Sequence, residues 1–320
     1  MKDKPKYIPV DAMVHPRFAG IRSFMRLPHV TELATDVDFA IVGVPFDTGG
    51  TFRVGARFGP AGVRENSLLL RPYNPAQKIL IFDQLSGVDY GDLQVIPGYL
   101  PESHNLITSQ ATAICESPAT PIFIGGDHSV SLPLLRAAYK VHGPLALVHF
   151  DAHSDLWLGY YGDKDTHGTP FRRAVEEGLL KLEHSIQIGL RGPLFDHTDY
   201  DIGQQLGIAL IDGPELHEIG MAQAIGRIRE TVDSAPAYLT FDIDFIDPAF
   251  APGTGTPEVG GFSGYDAIQL VRGLAGLDIR AYDLVEVMPP YDPANITSLL
   301  AANIIYEFIT LIALQKQQNL

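Results

Sequence analysis

Three short apolar runs that each end in aspartate and histidine constrain this chain more than any other feature. Leu145-Ala146-Leu147-Val148 runs into His149-Phe150-Asp151-Ala152-His153-Ser154-Asp155. Pro121-Ile122-Phe123-Ile124 runs into Gly125-Gly126-Asp127-His128, and Tyr238-Leu239-Thr240-Phe241 runs into Asp242-Ile243-Asp244. Apolar runs of this length, bounded by polar turns, read as buried strands. Residues two apart on an extended chain face one side. Asp151, His153 and Asp155 are therefore expected to converge, and so are Asp242 and Asp244. Carboxylates and imidazoles gathered at one point are costly unless a cation neutralises them. The expectation is a metal site at the ends of strands.

The rest of the chain alternates strand and helix. Strands are expected at 39–44, within 79–92, and at 121–124, 145–150, 185–190, 237–244 and 281–287. Helices are expected from Pro60, at 103–115 with Ser103 as a possible N-cap, at 131–141, and near 170–180, 220–232, 264–275 and 296–314. Strands apolar on both faces, separated by helices, predict a mainly parallel sheet covered on both sides, a three-layer α/β/α fold. In such sheets functional groups gather beyond the carboxyl ends of the strands. Pro5, Pro9, Pro16 and Pro28 interrupt residues 1–36, which are expected to form an arm over the body or a neighbouring subunit. Residues 37–320 show no linker or repeat and are expected to be a single catalytic domain.

A net charge of −15 argues against nucleic acid and anionic membranes as partners. No apolar run approaches the ~20 residues a membrane span needs. Met1-Lys2-Asp3-Lys4-Pro5 lacks the apolar core of a signal peptide, so a cytoplasmic location is expected. The single cysteine, Cys115, rules out an intrachain disulfide framework and is expected to pack in the interior. The loop Gly49-Gly50-Thr51-Phe52-Arg53-Val54-Gly55-Ala56-Arg57-Phe58-Gly59-Pro60 carries neither G-x-x-x-x-G-K-[ST] nor G-x-G-x-x-G. It is expected to be a structural loop near the active face.

The strand-end inventory is His128, Asp151, His153, Asp155, Asp242 and Asp244. Four carboxylates need more than one divalent cation for balance, and two metals ~3.5–4 Å apart sharing a water fit the set. Oxygen-rich ligands with few imidazoles favour an octahedral ion such as Mn²⁺ over tetrahedral Zn²⁺. Glu286 ends another apolar strand, where a carboxylate can pair with a cationic group. His167, in Thr166-His167-Gly168-Thr169-Pro170, is either a loop histidine ahead of a helix or an acid–base group.

Gly125-Gly126-Asp127-His128-Ser129, Phe150-Asp151-Ala152-His153-Ser154-Asp155 and Thr240-Phe241-Asp242-Ile243-Asp244 resemble the three signatures of the ureohydrolase family of arginases and agmatinases. Phe250-Ala251-Pro252-Gly253-Thr254-Gly255-Thr256-Pro257, Gly55-Ala56-Arg57, Gly59-Pro60 and Val285-Glu286-Val287 are similar to it too, over roughly residues 38–312. The resemblance implies an eight-stranded parallel sheet, trimeric or hexameric assembly, and two Mn²⁺ ions held by His128, Asp151, His153, Asp155, Asp242 and Asp244. It leaves open which aspartates, Asp155 and Asp242 or their neighbours, bridge the ions. It implies His167 as proton shuttle and Glu286 as the group that binds the substrate guanidinium. Asp127, Asp247 and Asp283 are expected to orient histidines and loops.

The resemblance implies a small guanidino substrate, hydrolysed to urea and an amine. Agmatine, giving putrescine, is the expected substrate because 156–165 is acidic and aromatic and no arginine lies between 155 and 171. The alternatives are 4-guanidinobutyrate, 3-guanidinopropionate or a related guanidine. Trp157 and Tyr160 are expected near the substrate, although Leu156-Trp157 departs from the small polar residue usual in relatives at that point. A single-zinc deacetylase-like protein of the same fold would lack the second histidine and the Asp242/Asp244 pair.

Overall fold

The computed structural model describes residues 5–318; Met1–Lys4 and the last two residues lie outside the described residues. Valine, isoleucine and phenylalanine in short runs, with apolar side chains at both parities, can be satisfied only inside a sheet packed on both faces. Eight such runs form one sheet. They are β1 (Phe39–Gly43), β2 (Gly87–Asp92), β3 (Thr120–Ile124), β4 (Ala146–Phe150), β5 (Ile186–Ile188), β6 (Ala209–Ile211), β7 (Ala237–Asp242) and β8 (Ile279–Val285). The spatial order is β2-β1-β3-β8-β7-β4-β5-β6, and every neighbouring pair is parallel. The three-layer expectation holds, with eight strands.

Helices α1 (Gly59–Ser67), α2 (Leu100–Cys115), α3 (Ser131–His142), α4 (Pro170–Glu176), α5 (Asp201–Gln205), α6 (Gly213–Val232), α7 (Gly264–Gly273) and α8 (Ile296–Gln318) complete the layers. Alternate strand residues feed two separate cores. Ile41, Ile122, Val148 and Leu239 pack with α1, α6, α7 and α8, whereas Val42, Phe123, Leu147 and Tyr238 pack with α2, α3 and α4. Phe150 and Phe241, neighbours across β4 and β7, stack with centroids 5.3 Å apart. A pair of this kind stabilises by about 0.5–1.5 kcal/mol beyond its buried area. It underlies the two strand ends that carry most of the acidic residues.

Several boundaries differ from the sequence expectation. Residues 79–80 leave the main sheet and pair with 73–74 in a small antiparallel ribbon. Ser103 is not a cap: α2 starts at Leu100, and the Ser103 hydroxyl bonds the backbone of Ile96 instead. The edge strand β6, three residues long, and the five-residue α5 are too short to signal themselves. Helix α8 corrects the membrane reading, because residues 293–317 are long and apolar enough to cross a bilayer. Its apolar residues instead fill the core, and Glu307 within it pairs with Arg272 and Asn74. Cys115 is buried, and burial pushes its thiol up to about 12.

The arm from residue 5 lies along the β2 edge. Phe24 N–H donates to Asp89, His29 bridges the same residue, and the Arg26 guanidinium donates to the carbonyls of Val10, His15 and Pro16. Asp89 also accepts from Arg64, so one buried carboxylate ties arm, edge strand and α1 together.

Candidate metal centre

The four central strands, β3-β8-β7-β4, end side by side and deliver the expected residues to one place. His128 follows β3, Glu286 follows β8, Asp242 ends β7, and Asp151 follows β4. At three of these ends, those of β3, β7 and β4, the chain turns by the same local device. The aspartate accepts from the backbone N–H two residues on: Asp127 from Ser129 at 3.0 Å, Asp151 from His153 at 2.6 Å, Asp242 from Asp244 at 2.8 Å. Gly126 is required in the β3 turn, since a Cβ there would meet the Phe46 carbonyl oxygen at 1.6 Å.

These turns revise why the residues converge. Strand β4 stops at Phe150, and Asp155 takes a left-handed φ of +52°, so the 151–155 stretch folds back on itself. Its convergence comes from a tight turn, not from extended pleating. Glu286 has the same kind of backbone, with φ +63°. Left-handed backbone at a non-glycine residue carries strain, and such residues concentrate at functional sites.

All six expected ligands meet. His128 Nδ1 lies 3.1 Å from Asp151 Oδ2, 3.0 Å from Asp155 Oδ2 and 3.2 Å from Asp242 Oδ2. His153 Nδ1 lies 3.1 Å from Asp244 Oδ2 and 3.4 Å from Asp151 Oδ1. Asp151 therefore straddles the two groups, one oxygen in each, whereas Asp155 faces His128. The Nε2 of His128 is held by Thr240 Oγ1 at 2.9 Å, which leaves its buried Nδ1 without a hydrogen-bond partner among the carboxylates.

The electrostatics call for positive charge. Burial disfavours a charged His128, but Asp151, Asp155 and Asp242 outweigh it and raise its pKa well above the usual value. Burial and the neighbouring Asp244 and Asp151 push the Asp242 carboxyl well up. An orphaned imidazole nitrogen facing buried carboxylates, together with a second His/Asp group sharing Asp151, fits a pair of divalent cations.

His149, Gln187 and Glu258 join the centre without having been expected there. Buried Gln187 on β5 donates to His149 Nδ1 at 2.9 Å, so His149 Nε2 donates to Asp151 Oδ2 at 2.7 Å. A glutamine inside an otherwise apolar strand was the available signal. Glu258, 3.9 Å from His153 Nε2, lies in a loop without one. Asp127 accepts from Gly49 N–H, and Asp247 braces its own loop through Ala249 and Gly261. Asp283 does neither; it accepts from Tyr238 and Ser131 between β7, β8 and α3.

On the other side of the centre, His167 Nδ1 lies 3.0 Å from Glu286 Oε1, which also accepts from His128 N–H. Glu286 Oε2 is buried without a partner. Burial works against a charged His167, but Glu286 outweighs it and raises the ring to about 9. Trp157 packs edge-on against Tyr160, with centroids 5.6 Å apart, and near exposed Phe195 at 6.2 Å. Gly168, next to His167, lets both rings approach: a Cβ there would meet Tyr160 at 2.9 Å.

With this geometry in view, a model of the arginase family matches residues 37–310. The chain is 44% identical over 309 residues to a guanidinobutyrase of Pseudomonas aeruginosa, covering 96% of this chain and 97% of the relative. It is 44% identical over 306 residues to a guanidinopropionase of the same organism, covering 95% and 96%. The crystal structure of a hypothetical agmatinase from Burkholderia thailandensis superposes with a TM-score of 0.88 at 40% identity, covering 95% of this chain and 93% of that one.

Proposed function

The chain belongs to the arginase family and is a hydrolase acting on C–N bonds, and we propose that it cleaves the guanidinium group of a small linear guanidino compound into urea and an amine. The observation that carries this reading is the meeting of His128, Asp151, His153, Asp155, Asp242 and Asp244 beside an unpartnered Glu286 oxygen. The six residues are the proposed holders of two divalent cations, with Mn²⁺ as the proposed ion and Asp151 reaching both. When bound, two such ions supply the Lewis acidity that makes water nucleophilic at neutral pH.

The chain's own residues do the rest. Glu286 Oε2 takes a guanidinium N–H in a charge-assisted bond and orients the electrophilic carbon. His167, cationic beside Glu286, supplies the proton that the departing amine needs. Trp157 and Tyr160, with Phe195, line the side toward which the substrate's tail extends.

Two tail chemistries have support. Agmatine, giving putrescine, is favoured by aromatic rings that attract an ammonium and by Asp163 and Asp165 in the same loop. A guanidino acid, 4-guanidinobutyrate or 3-guanidinopropionate, is favoured by the names of the two relatives and by Arg53, whose guanidinium donates to the Thr254 carbonyl beside Gly255 and Glu286. Urea release from a panel of agmatine, both guanidino acids, arginine and guanidine, after Mn²⁺ loading, tests both. Turnover of agmatine far above the acids supports the first, and the reverse order supports the second. Urea from none of them refutes both substrate readings.

A further inference from the structure

The loop after β1 was expected to be structural, and its residue Thr51 does something more specific. Thr51 meets the Nε2 edge of His167 twice: its backbone N–H donates at 3.2 Å, and its Oγ1 lies at 2.7 Å. The other ring edge, Nδ1, faces Glu286 Oε1 at 3.0 Å. A carboxylate only accepts, so in the neutral ring Nδ1 carries the proton and Nε2 is a bare acceptor. The Thr51 N–H suits that state alone. The hydroxyl suits both states, donating to a bare Nε2 and, once rotated, accepting from a protonated one.

Thr51 is held in place. Gly49 N–H donates to Asp127 at 2.7 Å, the Gly49 carbonyl accepts from His167 N–H at 2.9 Å, and Gly55 N–H donates to Asp47 at 2.8 Å. Thr51 is also only partly buried, so solvent reaches the residue whose oxygen touches the ring. The charged groups acting on His167 are Glu286 after β8, Asp155 after β4 and Asp127 after β3, all acidic. None of them is hydrogen-bonded to Nε2 among the described residues; Thr51 is.

We propose that Thr51 positions His167 in its Nδ1–H tautomer and passes protons between the Nε2 edge and water. The Thr51 hydroxyl gives its proton to Nε2 while its oxygen takes one from a hydronium ion or a buffer acid in the solvent, leaving water or the conjugate base; the reverse step returns it. Thr51 gains no charge in either direction. This inference rests on the reading of His167 as the group that protonates the amine.

The test compares metal-loaded wild type with Thr51→Val, which keeps shape and N–H but loses the hydroxyl, and with Thr51→Ser, which keeps the hydroxyl. Thr51→Ala replaces the valine variant if valine disturbs folding by circular dichroism. The valine variant is expected to lose roughly tenfold in kcat, a modest part of a general-acid contribution, at unchanged KM. Added imidazole buffer and the serine variant should each restore the rate. An unchanged kcat overturns the proposal, and so does a loss that either rescue fails to repair. Nitrogen-15 histidine spectra of the metal-free protein give a readout independent of turnover. The His167 Nε2 resonance should move in Thr51→Val and return in Thr51→Ser; an unmoved resonance overturns the proposal. If wild type released no urea, both substrate readings would fail, and these spectra would still decide the role of Thr51.

Discussion

The floor of the site and its rim are built by different means. Floor residues sit on four adjacent strand ends, three of them fixed by an aspartate that caps its own turn and the fourth, at Glu286, tied to the β3 turn by hydrogen bonds with Gly126 and His128, and all are buried or nearly so. Rim residues Thr51, Trp157, Tyr160, Phe195 and Glu258 come from four separate loops, held by backbone bonds within and between those loops, by side-chain contacts and by ring edges. A floor so determined can gather charges that would repel one another in a looser frame. A rim carried on separate loops can vary without disturbing it. The proposed cation positions belong to the first region and the proposed substrate choice to the second, while Thr51 serves the chemistry from the rim, through His167.

The hardest test of that division is Asp151→Asn. One oxygen of Asp151 faces each histidine, so the change weakens both proposed cation positions at once. Urea release and bound divalent metal, measured by elemental analysis after dialysis, should be lost together while the fold persists. A variant retaining two ions per chain would remove Asp151 from the floor.

Next in size is the support beneath it. His149→Phe or Gln187→Leu breaks the chain of hydrogen bonds that orients Asp151. Loss of a group that orients a metal ligand costs about 10–100-fold in affinity. Calorimetric titration of metal into the stripped protein should show that weakening, whereas the rim variants leave it unchanged.

The rim gives smaller and selective effects. Trp157→Ala removes one wall of the aromatic cluster without touching a floor residue. If the tail is an ammonium, the loss of about 0.5–2 kcal/mol of cation–π attraction raises KM for agmatine severalfold at constant metal content. Equal changes for agmatine and 4-guanidinobutyrate would show that Trp157 packs but does not select.

The same division explains what could be read before the structure. Floor residues announce themselves because Asp and His stand out against apolar strands, and Asp151, His153, Asp155, Asp242, Asp244 and His128 all converge. Strand pleating predicts the same convergence for the wrong cause, since β4 ends at Phe150; backbone turned by a positive φ at Asp155 leaves no trace in residue types. Of the rim, Trp157 and Tyr160 stand out by their aromatic loop, but Thr51, Phe195 and Glu258 announce nothing. Thr51 and Phe195 are separated from their partners by long stretches of sequence, and a threonine in a glycine-rich loop looks like any turn residue. Strand β6 escaped for a different reason: its three residues, Ala209-Leu210-Ile211, are apolar but make too short a run to tell a strand from a loop or helix end.

His104, on α2 behind the floor, carries the smallest effect and bears on rigidity rather than catalysis. It is buried beside Phe46 and Ser129, and burial, with help from Arg136, lowers its pKa from 6.5 to about 3. The unfolded chain therefore binds a proton that the folded chain refuses between those two values. Stability from this residue is complete above about pH 6.5 and declines as pH falls toward 3. His104→Gln has no such proton to take up. Its unfolding midpoint in urea should fall less steeply than wild type between pH 6.5 and 4, with metal affinity at neutral pH unchanged. If the two proteins lose stability in parallel, His104 is not held neutral, and the packing behind the floor is looser than its burial implies.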